Sequence, residues 1–133
     1  GEESATLRRM VSEHGLSNRV TFLGQVDDDE LLRQLGRCRA VCFPAQHEDY
    51  GLVTVEAFAS GKPVVTCTDS GGPAELVRDH ANGFVTEPVA AAVASKLALL
   101  SDDRALAERL GATAFEDVTD MTWERASKQL VLA

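Results

Sequence analysis

The 133-residue chain is 44% hydrophobic and 26% charged, ordinary for one soluble globular domain or a large piece of one. A formal net charge of −8 argues against a nucleic-acid surface, which needs clustered Lys and Arg, but leaves room for a small phosphorylated ligand in a local donor-rich pocket. No apolar run approaches the ~20 residues that span a membrane, and no signal peptide opens the chain, which starts at Gly1 as an excised piece would. Cys38, Cys42 and Cys67 lack metal-ligand or disulfide-scaffold spacing. Cys42 and Cys67 sit inside apolar runs and read as buried free thiols of a reducing cytoplasm.

In chain order, Leu7, Met10, Val11 and His14 recur at helical spacing, and Gly15 stops the helix. Arg19 to Leu23 reads as a strand. Asp27 and Glu30 form a capping box ahead of Leu31, Leu32 and Leu35, so Asp27-Asp28-Asp29 is a helix cap rather than a metal cluster. Val41-Cys42-Phe43, closed by Pro44, predicts a short buried strand. Leu52 to Ser60 predicts a helix ended by Gly61, and Pro63 to Cys67 another buried strand. Gly72-Pro73-Ala74-Glu75 opens a short helix with Pro in the first turn. Asn82-Gly83 turns the chain into a strand at Phe84-Val85-Thr86.

Val89 to Leu100 is Ala- and Leu-rich and helical, and Ser101-Asp102-Asp103 caps a further helix running toward Leu110. A last helix opens at Met121-Thr122-Trp123-Glu124, where Trp123 reads as a packing residue. His14 and His80 read as surface histidines; His47, beside Glu48, reads as an exposed loop histidine, with contact to a ligand as the alternative. Strands alternating with helices predict a Rossmann-like three-layer α/β/α domain on a parallel sheet. Four strands make a thin sheet for that architecture, so further strands are expected upstream.

Ligands of open parallel sheets bind beyond the carboxyl ends of the strands. The loops at those ends are 24–27, 45–51 and 68–72. In the middle loop, Gly51 leads into a helix start at Leu52. Such a start offers unpaired N–H groups and partial positive charge, and glycine allows a ligand close to the backbone. The expected guest is an anion such as a phosphate. Glu48 and Glu56 flank that start, and Glu56, one turn into the helix, leans back toward it. Either carboxylate accepts hydrogen bonds from a sugar diol, although acidic residues also favour helix starts for the dipole alone. Gly71-Gly72 makes a second close-approach turn, equally compatible with an ordinary strand-to-helix connection.

The runs Glu48-Asp49-Tyr50-Gly51-Leu52-Val53-Thr54-Val55-Glu56-Ala57, Ser60-Gly61-Lys62-Pro63-Val64-Val65 and Gly71-Gly72-Pro73-Ala74-Glu75-Leu76-Val77 resemble glycosyltransferase family 4. The two glutamates are separated by seven residues, as in that family. The flanks Asn18 to Gly24, Asn82 to Val85 and Thr122-Trp123-Glu124 also fit, so the resemblance covers nearly the whole chain.

The resemblance implies a retaining enzyme of the GT-B fold, with this chain as a partial C-terminal donor-binding domain, residues 1–133. The first strands of that domain and the whole acceptor domain are expected to lie elsewhere. It implies that Glu56 holds the ribose hydroxyls of a nucleoside-diphosphate sugar and that Glu48, the catalytic candidate, contacts the transferred sugar. Backbone amides of Tyr50, Gly51, Leu52 and Val53 would grip sugar and distal phosphate. Gly24, Gln25 and Val26 would border the nucleobase, and Gly71 and Gly72 would line the cleft. Tyr50 stands where the family often has Phe. The family's Arg and Lys that neutralise the leaving diphosphate have no counterpart here, and Lys62 and Arg78 do not replace them by position. No metal or other cofactor is implied. Membrane-borne acceptors would place the whole enzyme at the cytoplasmic face of a membrane. The alternatives are a non-catalytic nucleotide-sugar-binding module and a GT-B-type epimerase or phosphorylase. Sugar, base and acceptor are not legible from these residues.

Overall fold

The computed structural model describes residues 3–122, which fall into two compact units divided after Leu31. The expected helix at Trp123 lies outside the described residues, and Met121 and Thr122 are not helical.

In the first unit, α1 (Ser4–Glu13) ends as the His14 N–H closes on the Met10 carbonyl at 3.0 Å and Gly15 takes a φ of +65°. The Arg8 guanidinium lies 4.6 Å from the centre of the Phe22 ring. The strand expected at Arg19–Leu23 does not form: the segment joins no sheet among the described residues, and Val20 and Leu23 are exposed. A strand exists only through a ladder to a neighbour, and an apolar pattern supplies a face but not a partner. α2 (Asp28–Arg37) starts as expected, with Asp27 Oδ1 accepting the Glu30 N–H at 2.8 Å. Asp27 is therefore engaged as a cap.

The second unit is built on three parallel strands in the order β1 (Val41–Cys42), β2 (Val64–Cys67), β3 (Gly83–Thr86), one fewer than the four expected. Val41 pairs with Val64, and Val64 with Gly83. All four residues of β2 are buried, as the central position demands. Among the described residues β1 is an outer strand of the sheet; Cys42 is exposed rather than buried, and Cys67, on the central strand, is buried as expected.

Helices cover both faces of the sheet. Four of them follow β1: α3 (Leu52–Ala59), α4 (Gly72–Leu76), α5 (Ala90–Asp102) and α6 (Arg104–Thr119). On one face Phe58 and Ala57 of α3 pack with Val64, Val77 and the Ala114 and Val118 end of α6. On the other, Val65 and Phe84 pack with Leu100 of α5 and the Ala107 and Leu110 end of α6. α6 runs beyond the expected end at Leu110 because apolar residues continue on its buried face. Asp103 stops α5 in an extended conformation and caps α6 through the Leu106 N–H at 2.9 Å.

The Asn82-Gly83 turn is locked by side chains. Asn82 is fully buried; its amide oxygen accepts the Arg78 N–H at 2.8 Å, and its NH2 donates to Asp117 Oδ2 at 2.8 Å and to the Leu76 carbonyl. Arg78 grips both oxygens of Asp117 at 2.7 Å. Burial alone would raise Asp117, but the hydrogen bonds from Arg78 and Asn82 and the Arg78 charge hold its carboxyl below the usual carboxylate range. A depressed carboxylate stabilises the fold above the unfolded pKa of about 3.9, and the contribution is lost as pH falls through the folded value. Asp117→Asn is therefore expected to lower the thermal midpoint at neutral pH, and the difference from the parent to shrink below about pH 4. Parallel melting curves across that range check it; a constant difference would show that the carboxylate charge contributes nothing.

Candidate functional site

The loops after β1 and β2 are zipped together at the carboxyl edge of the sheet. The His47 N–H donates to the Asp69 carbonyl and the Glu48 N–H to the Ser70 carbonyl, both at 3.1 Å, and the Gly72 N–H returns to the Glu48 carbonyl at 2.8 Å. Glu48 and Gly71 form a parallel bridge, which continues the sheet beyond its regular strands. Ser70, fully buried, closes the turn by accepting the Cys67 N–H on its hydroxyl at 3.2 Å.

Glycine is required where the two loops touch. A Cβ on Gly71, whose φ is +72°, would stand 2.5 Å from the Glu48 carbonyl oxygen. One on Gly72 would meet the Asp49 and Tyr50 carbonyl oxygens at 2.7 Å. Gly51, with φ +76°, turns the chain into α3 directly against the Pro73 ring. The sequence singled out both loops, but their mutual zipper, through the carbonyls of Asp69 and Ser70, was not legible. The glycines that permit it were the available signal.

α3 therefore begins on a rigid platform. No side chain caps its start. Among the described residues, the backbone N–H groups of Tyr50, Gly51, Leu52 and Val53 donate to no protein acceptor. Leu52 is 64% exposed and Tyr50 55%, so this end of the helix faces solvent. Thr54, one residue further, is fully buried, and its hydroxyl lacks a hydrogen-bond partner among the described residues. Sequence reasoning passed over Thr54, which it read only as part of the helix.

Glu48 is half-buried on the loop, and Glu56 is exposed on the second turn of α3. Neither carboxylate has a hydrogen-bond or ion-pair partner among the described residues. The structure thus gathers Glu48, Tyr50, Gly51, Leu52, Val53, Glu56, Gly71 and Gly72 on one unit, around one helix start. Gly24, Gln25 and Val26 belong to the first unit, where Gly24 turns with a φ of +71° and Val26 is half-buried. His47 is exposed with a φ of +51°, and exposed His80 stacks edge-on against Phe84 with ring centres 5.0 Å apart. Among the described residues, no three His, Cys, Asp or Glu side chains lie close enough to hold a metal ion, and no helix is long and apolar enough to cross a membrane.

Chemically, this site has free amide donors and a helix dipole for an anion, flanked by two uncommitted carboxylates for hydroxyl groups. Known proteins share its framework. The chain is 33% identical over 126 residues to a D-inositol 3-phosphate glycosyltransferase of Nocardia farcinica, matching 94% of this chain and 28% of that protein. A sucrose-phosphate synthase structure from Thermosynechococcus elongatus superposes with a TM-score of 0.89 at 31% identity, over 99% of this chain and 33% of that one. HepE of Anabaena, solved in complex with UDP and glucose, superposes with a TM-score of 0.83 at 27% identity, over 98% of this chain and 35% of its own. The chain thus spans only about a third of each of these three proteins. Residues 1–117 match the model of one family, Glycosyl transferases group 1, and the chain belongs to that family.

Proposed function

We propose that this chain is the donor-binding half of a retaining family 4 glycosyltransferase, which moves a sugar from a nucleoside diphosphate to an acceptor hydroxyl without a resident metal. The supporting observation is the α3 start: four amides without a protein partner, between two carboxylates equally uncommitted. HepE, with UDP and glucose in its structure, makes UDP-sugars the first donors to try.

In this reading the amides of Tyr50 to Val53 hold the distal phosphate and the sugar. The diphosphate gains negative charge as the anomeric bond breaks, and preoriented amides at a helix start stabilise charge that develops there. Glu56 accepts hydrogen bonds from the ribose diol. Glu48 accepts from hydroxyls of the transferred sugar near the reacting carbon and is not assigned as a covalent nucleophile. Gly71 and Gly72 keep the floor of the cleft free of side chains. The acceptor domain and the basic pair for the leaving group are supplied by other parts of the whole protein. Retention follows from attack on the face that the diphosphate leaves, assisted by that phosphate.

Calorimetric titration of the whole protein with UDP, GDP and ADP and their sugar conjugates tests the reading, with the anomeric configuration of the product read by NMR. Tight binding of one diphosphate and a retained configuration support it. Nucleotide binding without transfer would favour the non-catalytic nucleotide-sugar-binding module, and absence of all nucleotide binding would overturn the donor reading. Glu56→Gln removes the charge from an exposed side chain and should leave the fold intact. It is expected to weaken binding of the diphosphate by about 1–3 kcal/mol; unchanged affinity would remove the ribose role.

A further inference from the structure

The opposite end of the sheet carries a second feature that the donor reading does not use. A cavity of about 250 Å³ opens at the amino ends of β1 and β2, lined by Arg37, Arg39, Lys62, Arg104 and Glu108 with the backbone of Gly36 and Gly61. Four of the chain's 13 Lys and Arg thus meet in one recess, on a chain whose net charge is −8. All of these residues lie in the second unit.

The state of each cation decides what the recess can hold. Arg104 is neutralised by Glu108, with Nε 2.7 Å from Oε1. Lys62 Nζ donates to the Gly36 carbonyl at 3.1 Å, and Arg39 to the Ser101 carbonyl at 2.8 Å. Carbonyls orient these two groups without cancelling their charge. Arg37 has no partner among the described residues. Three cations are therefore left uncompensated, each with further N–H donors to spend. Burial holds the Cys38 thiol above its ordinary range, so it adds no negative charge to the lining.

We propose that this recess binds a small phosphorylated anion, at a site separate from the start of α3. A lone carboxylate would leave most of this charge unmatched, whereas a phosphate carries up to two charges and accepts several charge-assisted hydrogen bonds. The volume lies just below the range of about 300–1,000 Å³ typical of drug-sized ligands, which limits the guest to a phosphate with a small body. β1 and β2 run from this recess to the two zipped loops, so an occupant bears on the same strands that carry the donor loops.

The inference is independent of the donor reading, and its test keeps the two apart. The probes are inorganic pyrophosphate and orthophosphate, titrated into the chain while amide NMR shifts are followed. The expected result is saturable movement of the Gly61, Lys62 and Arg104 signals. Arg37→Gln combined with Lys62→Gln is expected to weaken pyrophosphate at least about tenfold, the loss of one charge-assisted hydrogen bond. Both side chains reach the surface and neither belongs to the buried core, so the melting curve should hold. Glu108→Gln, which removes the carboxylate from the lining, should tighten binding. Shifts confined to Gly51 and Gly71, an unchanged affinity in the double variant, or absence of saturation at millimolar probe would each overturn the proposal.

Discussion

Phe58→Ala is expected to cost about 3–5 kcal/mol of stability, the range for truncating a buried Phe. Phe58 is 1% exposed and sits in the cluster joining α3 to β2 and to the Ala114 and Val118 end of α6. Its neighbours there include Val64 on the central strand and Val77 after α4, and neither can move inward without breaking the ladder to β3 or the end of α4. The cavity should therefore remain largely open. Against a typical total of about 5–15 kcal/mol, such a loss leaves a marginal fold. Urea unfolding with an unchanged slope checks it. Phe58→Leu, which refills most of the volume, should recover more than half of the loss. A change below about 1 kcal/mol for the alanine variant would mean that α3 is not anchored by this side chain.

Gly71→Ala is expected to damage function more than stability. The backbone there, with φ +72° and ψ −128°, lies in a region open essentially to glycine, and forcing another residue into it costs about 1–3 kcal/mol. The new Cβ would also press on the Glu48 carbonyl, the same oxygen that accepts the Gly72 N–H. Relief requires the loop carrying Glu48 to move away, and that loop leads directly into the start of α3. A displacement near 1 Å at groups that position a substrate is expected to lower turnover by about 100-fold. The whole protein's transfer rate, set beside its melting temperature, separates the two effects. Unchanged activity in Gly71→Ala would show that the zipper does not position the site.

Together these variants test one physical arrangement from two sides. Phe58 fixes the buried face of α3 to the sheet, and Gly71 fixes the loop that feeds its first turn. The amide donors of Tyr50 to Val53 point where they do because both constraints hold at once.

The sequence by itself determined the elements whose signals are local. Asp27 caps α2, Gly51 and Gly61 bracket α3, Pro73 sits in the first turn of α4, and Asp103 caps α6, because caps and positive φ angles depend on a residue and its immediate neighbours. The spacing of Glu48, Gly51 and Glu56 likewise marked one helix start, since seven intervening residues include the loop and the first turn. Tertiary structure decided everything that requires a partner distant in sequence. The pattern at Arg19–Leu23 fitted a strand but found no ladder among the described residues, and Cys42 lay exposed although it sits in an apolar run. The zipper between the two loops, the lock of Asn82 on Asp117 and the meeting of Arg37, Arg39, Lys62 and Arg104 in one recess all join separate segments. Their energy comes from hydrogen bonds and charges brought together only by the closure of the chain, and a one-dimensional pattern does not encode which closure wins.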